Sequence, residues 1–194
     1  MAITTNEALQ EVKQHLTDVR YTHTLGVRDT ALALAKHYGA DESKAELAAI
    51  LHDICKYHDV QTMQEIVRNK LHEPHWGEYG NELLHAPCGA YFVEHQLGVK
   101  DKDILLAIRS HTTGRAGMGL LEKVLFVADY IEPNRRFPGV EQARKLAEES
   151  LDAACCFALR QTMFFLLDRE QLIHPETVSA YNAFYKQKGA MEFE

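Results

Sequence analysis

The chain lacks any segment of sustained strict apolar–polar alternation in its 194 residues, the pattern a half-buried strand would show. It has no apolar run approaching the length of a bilayer span. Residues Met1–Glu7 have neither the basic start nor the apolar stretch of a signal peptide. Cys55, Cys88, Cys155 and Cys156 form no CxxC pair and no disulfide-framework spacing. An excess of positive charge is also missing: 21 Lys and Arg stand against 28 Asp and Glu, for a net charge of -7. That balance argues against a nucleic-acid-binding surface. It does not exclude a nucleotide substrate, because a bound metal and a few local cations outweigh the global sign. No internal repeat or low-complexity stretch is present. These absences point to a cytoplasmic, thiol-reduced protein with no membrane or nucleic-acid partner, and to a single domain over 1–194.

What is present is helical period. With 46% hydrophobic and 25% charged residues, the chain has ordinary globular composition and length for one well-buried core. Ala8, Leu9, Val12 and Leu16 share a face over 6–18, and a second helix is expected over 22–38 with Gly39 as its left-handed cap. Ser43 and Glu46 form a capping-box pattern before an apolar helix ending in His52 and Asp53. Asp59 is placed to cap a helix over 60–70, and Pro87 suits the first turn of one running to about Leu97. Further helices are expected at 102–112, 119–131, 140–148, 150–169 and 175–188. The loops 71–80 and 132–139 mix turn formers with aromatic and cationic residues. The expected fold class is therefore an all-α helical bundle, its core spanning about 15–188 with a short frayed tail. The apolar helix 150–169 suits either the core or the interface of a homodimer.

The eleven histidines matter for their placement. His23 lies near the start of the second helix, His52 and Asp53 at the end of the third, and His85 just before another. His111 closes the helix 102–112, and Asp129 interrupts the apolar run Leu120–Ile131. Several of these positions are helix C-terminal ends, where the dipole favours a cation. Bundles build metal sites from His and carboxylate side chains on facing helices. Such ligands suit iron, manganese or zinc, and the absence of thiolates argues against a structural zinc cluster. A metal lowers the pKa of bound water and so supplies a nucleophile near neutral pH. Were its target a phosphate, the developing charge would need preorganised cations and donors: Lys56, four residues after His52 and three after Asp53 on the same helical face, then Arg115, Arg135 and Arg136, with Thr112, Thr113 and Gly114 as hydrogen-bond donors. Tyr130, Phe137, Trp76 and Tyr79 are the aromatic candidates for stacking a base. Cys155 and Cys156 and the run 141–149 read as packing and solvated face.

The order His23, His52-Asp53, Asp129 resembles the signature of the HD-domain metal-dependent phosphohydrolases. The strings His85–Ala90, Ser110–Met118 and Leu121–Arg135 look like those of the YqeK-type members, which are symmetrical dinucleoside-tetraphosphate hydrolases. The similarity covers about residues 15–188. It implies an HD helical bundle and iron held by His23, His52, Asp53 and Asp129. It also implies diadenosine tetraphosphate as substrate, cleaved symmetrically to two ADP. His85 and His111 would then hold a second ion or contact phosphate. Two competing readings are an HD phosphohydrolase acting on another nucleotide and a non-catalytic nucleotide sensor.

Overall fold

The computed structural model describes residues 3–191, with side chains described to 187. Among the described residues there are ten α-helices and no strand. Helix α1 (Thr5–His15) starts at Thr4, whose hydroxyl accepts the Glu7 N–H while Glu7 returns to the Thr4 N–H. Thr17 caps α2 (Asp18–Tyr38), which stops at Gly39 in the left-handed region at φ 72°. A side-chain N-cap of this kind typically contributes about 1 kcal/mol. Helix α3 (Glu42–Leu51) is capped by Asp41, which accepts the Lys44 N–H. The expected Ser43–Glu46 capping box is therefore not the one used: the helix has already begun at Glu42, and Glu46 accepts from Thr5 of α1 instead.

Beyond α3 the chain tightens into successive turns, Ile54 to Leu51, Lys56 to Asp53 and His58 to Cys55. Asp59 then caps α4 (Val60–Glu65) as expected, but the helix loosens into a π turn over Ile66–Lys70. Two short 3-10 turns, Pro74–Glu78 and Asn81–Leu83, bridge to α5 (His85–His95). Helices α6 (Lys102–Ser110), α7 (Leu120–Ile131), α8 (Val140–Glu149), α9 (Leu151–Asp168) and α10 (Pro175–Met191) follow. Of the tail expected to fray, residues 189–191 carry the last part of α10, and 192–194 lie outside the described residues.

The core is built around α7. Val124, Leu125, Val127 and Ala128 are fully or almost fully buried, and the helix packs against α2, α3, α6, α8 and α9. Helix α3, with Ala48, Ala49, Ile50 and Leu51 all at 0% exposure, fills the space between α1, α2, α6 and α7. Burying the Ile50 or the Leu51 side chain is worth about 1.5–3 kcal/mol. The same packing brings His52 at the end of α3, His111 at the end of α6 and Asp129 in the last turn of α7 into one cluster.

The first half of α9 joins the core through Leu151, Ala154, Cys155, Ala158 and Leu159, whereas Phe164, Phe165 and Leu167 near its end remain exposed. Trp76 is wholly buried, stacked on His174 at 4.4 Å with the Arg109 guanidinium over its ring. Tyr79 packs edge-on to the same histidine. Trp76 is thus a core anchor for the 71–80 loop, and neither residue faces the site.

Candidate active site

Asp53 is the centre of the cluster, at 0% exposure together with its neighbour His52. Its two oxygens divide the surrounding histidines. The Oδ2 atom faces His52 Nε2 at 3.0 Å and His23 Nε2 at 3.8 Å, and receives the Arg20 guanidinium. The Oδ1 atom faces His85 Nε2 at 3.1 Å and His111 Nε2 at 3.8 Å. Asp129 Oδ1 lies 3.0 Å from His23 Nε2 and accepts from Arg135 Nη2 at 2.6 Å. All four histidines of the cluster therefore turn Nε2 inward.

Their other nitrogens are held from behind. His52 Nδ1 donates to the Ala49 carbonyl at 2.7 Å, His111 Nδ1 to Ile108 at 2.7 Å and His85 Nδ1 to Glu82 at 2.6 Å. His23 Nδ1 lies 3.1 Å from Glu132 Oε1, which makes that carboxylate its acceptor. The backbone acceptor three residues upstream of His52 and His111 comes directly from their place at helix ends. A His whose Nδ1–H is fixed in this way presents a lone pair at Nε2, the tautomer a metal requires. His23 Nε2, His52 Nε2 and Asp53 Oδ1 are buried and have no hydrogen-bond partner within the protein. Burying such atoms without partners is costly. A divalent cation would satisfy them, and His/Asp donors suit such an ion.

Two overlapping sets, His23 with His52 and Asp129, and His52 with Asp53 and His111, have donor atoms within 4.8 Å of one another. Either set can hold a divalent ion. The negative ends of α3, α6 and α7 add to the attraction.

The electrostatics divide the titratable groups. Burial opposes charge on Asp53, but His52 and His85, donating to it when protonated, hold its carboxyl well below the usual range. Burial also opposes charge on Asp129, whose side chain is 16% exposed, but His23 and Arg135 hold it well below that range. Burial pushes His111 well below the ordinary imidazole value, with His52 and His85 adding to the effect. Burial also lowers His85, against the pull of Asp53. Lys56 is lowered by burial and by the neighbouring Arg20 and Arg135, while Asp53 and Asp129 oppose the shift.

A cavity of about 1070 Å³ opens beside the cluster, with His111, Asp129, Lys56, Thr112 and Arg135 on its polar side. Lys56 reaches it through the turns after α3 rather than along a helix face, because α3 ends at Leu51; its Nζ lies 3.5 Å from His85 Nδ1. The Thr112 hydroxyl is buried without a partner. Tyr130 and Phe137 also line the cavity, edge to face at 4.9 Å.

Two expected cations are placed elsewhere. The Arg115 guanidinium is bound to Glu122 by Nε at 2.7 Å and Nη2 at 2.6 Å. Glu122 is 4% exposed, and a buried carboxylate needs a cationic partner. Arg136 is exposed and folds onto the Pro133 and Arg135 carbonyls. Neither lines the cavity. Thr113 turns away, donating to the Gly114 carbonyl.

Two residues of the site were missed by sequence reasoning. Arg20 sits three positions before His23 on α2, a helical spacing that places both on one face. Glu132 is 1% exposed and 109 residues from His23 in sequence, so no local pattern joins them. It also accepts the Asn134 N–H at 2.7 Å. Gly26 makes room for it: a Cβ there would sit 2.5 Å from Glu132 Oε2.

The model of the HD domain family matches residues 20–134. A Halalkalibacterium halodurans protein named symmetrical bis(5'-nucleosyl)-tetraphosphatase is 55% identical, over 91% of this chain and 94% of its own length. The Bacillus subtilis protein of the same name is 52% identical, over 91% and 95%. A Clostridium acetobutylicum crystal structure, described as a predicted HD superfamily hydrolase involved in NAD metabolism, superposes with a TM-score of 0.92. It is 36% identical and covers 96% of this chain and 100% of that one.

Proposed function

The chain belongs to the HD-domain family, and we propose that it is a symmetrical bis(5'-nucleosyl)-tetraphosphatase, cleaving diadenosine tetraphosphate and related dinucleotides to two nucleoside diphosphates. The observation that carries this reading is the convergence of four inward Nε2 atoms and two carboxylates beside a cavity that also holds Lys56 and Arg135. The near full-length relatives named for this activity support the choice of substrate.

In this reading His23, His52, Asp53 and Asp129 hold a divalent ion, iron by preference and manganese as an alternative. A bound ion of this kind lowers the pKa of coordinated water and so supplies a nucleophile near neutral pH. The chain's own residues do the rest. Lys56 and Arg135 face the cavity and offset charge on the phosphoryl oxygens as it develops. Thr112 offers its free hydroxyl to a phosphate oxygen. Arg20, bound to Asp53, holds that carboxylate ionised and in place. His85 and His111, on the Oδ1 side of Asp53, hold a second ion or contact phosphate directly. Tyr130 or Phe137 stacks one base. Arg115 and Arg136 take no part, because their guanidinium groups are engaged away from the cavity.

No described helix is long and apolar enough to cross a membrane, and we place the enzyme in the cytoplasm, acting on a small nucleotide without nucleic-acid or membrane partners. Purified protein supplied with ferrous iron is expected to convert diadenosine tetraphosphate to ADP as sole product. Appearance of ATP and AMP rejects symmetrical cleavage. Absence of any product, with the metal shown to be bound, favours a nucleotide sensor.

A further inference from the structure

A substrate with two identical ends needs room for a base on each side of the bond that is cut. One aromatic pair, Tyr130 and Phe137, lies at the end of α7 and in the loop after it, close to Asp129. The same cavity has a second aromatic wall, on the last part of α9. Phe164 and Phe165 are 57% and 53% exposed, and both line the cavity. The Arg169 guanidinium lies 3.8 Å from the centroid of the Phe165 ring and also faces the cavity. Gln161 and Asp168 supply polar edges along the same helix.

Position along α9 separates the two walls. The loop after Phe137 crosses α9 at Phe157 and Gln161, since a Cβ on Gly139 would sit 3.4 Å from Phe157 and 3.1 Å from Gln161. Phe165 is one helical turn beyond Gln161 and Arg169 one further, steps of about 6 Å each at the rise of an α-helix. Large apolar side chains left open side by side on a cavity wall mark a binding surface. Aromatic rings and arginine planes are the surfaces on which nucleobases stack.

We propose that Phe164, Phe165 and Arg169 form the subsite for the second nucleobase of the dinucleotide. The occupant is the far end of the substrate, a purine still joined to the polyphosphate held at the metal centre. The inference rests on the function proposed above. It adds the device by which the enzyme distinguishes a dinucleotide from a nucleotide with a single base. The cavity is continuous from His111 and Asp129 to this wall, and its volume of about 1070 Å³ stands at the upper limit of ordinary small-molecule pockets. Arg169 complements a purine edge and adds positive charge where the polyphosphate leaves the centre.

The test compares the metal-loaded wild type with the double variant Phe164→Ala/Phe165→Ala and with Arg169→Ala. KM for diadenosine tetraphosphate is measured beside the inhibition constant of adenosine 5'-tetraphosphate, which has as many phosphates but one base. Loss of one stacked base is expected to raise KM on the order of tenfold in the double variant, and less in Arg169→Ala, with the inhibition constant of the one-base compound within twofold of wild type. An unchanged KM overturns the proposal, as does an equal rise in both constants. A change of oligomeric state with KM unchanged also overturns it and assigns the face to self-association. Equilibrium binding of diadenosine tetraphosphate is recorded in parallel. If the wild type releases no ADP, the hydrolase reading fails by itself, and the ratio of binding constants between wild type and double variant still decides the subsite.

Discussion

Replacing Glu132 by alanine should loosen the metal without unfolding the protein. The carboxylate accepts the His23 Nδ1–H at 3.1 Å and the Asn134 N–H at 2.7 Å, and it is almost wholly buried. Without it His23 loses the contact that sets its tautomer and ring orientation. Changes to such supporting groups typically lower metal affinity about 10- to 100-fold, which is about 1.4–2.7 kcal/mol. Leaving the two donors without an acceptor costs the fold about 1–3 kcal/mol for each that water does not reach. Glu132→Gln should be intermediate, because a carboxamide has one acceptor oxygen for two donors and turns its NH2 toward the other. The assay is the dissociation constant for ferrous or manganous ion by chelator competition, with the melting temperature of metal-free protein beside it. If Glu132→Ala melts earlier but binds metal as tightly as wild type, the residue only anchors the 132–135 turn and the reasoning about His23 is wrong.

Asp129→Ala should abolish metal retention and activity while the circular dichroism of the helices stays the same; a variant that keeps its metal refutes the ligand assignment. Lys56→Met should lower kcat/KM by about 10²–10³, the usual effect of removing a preorganised charge from a transition state, and a change under twofold would remove Lys56 from the phosphate site. Arg115→Ala should leave KM unaltered but lower the melting temperature, because it strands the buried Glu122 carboxylate; allowing for the partial exposure of Arg115, the loss is about 1–3 kcal/mol, and a raised KM with unchanged stability would return Arg115 to the substrate site. The fifth prediction concerns acid. Burial and the nearby His75 and Arg109 push His174 down to about 4. Below about pH 6.5 the unfolded chain takes a proton there that the folded chain refuses. Stability should therefore fall as pH drops from about 6.5 to about 4, and His174→Phe should flatten that slope in thermal melts of metal-free protein. An unchanged slope refutes the assignment.

Helical period and capping residues were read directly from the chain. Asp59 and Gly39 sit where the structure uses them, because a cap depends on atoms within three or four residues. The same locality explains the failures. Ser43 and Glu46 satisfy a capping-box pattern, yet Asp41 two residues earlier offers a competing acceptor and the helix starts there. Lys56 looked in register with His52 on a continuing helix, but the turns that carry Asp53 into the centre end α3 first. Proximity in sequence to His111 and Asp129 points to Arg115 and Arg136. What occupies their guanidinium groups, Glu122 in one case and backbone carbonyls in the other, is a matter of burial that no spacing reveals.

The sequence by itself determined the helical class and the residue types of the candidate metal centre. Period and polarity are properties of short windows, and a His-Asp pair or an Asp in an apolar helix departs from its own window. Only the tertiary structure decided how Asp53 divides its two oxygens among four histidines, that Arg20 and Glu132 support the centre, and that the end of α9 forms a wall of the same cavity. Those relations join positions up to 109 residues apart, and they exist only once the packing of α2, α3, α5, α6, α7 and α9 has brought the helix ends together.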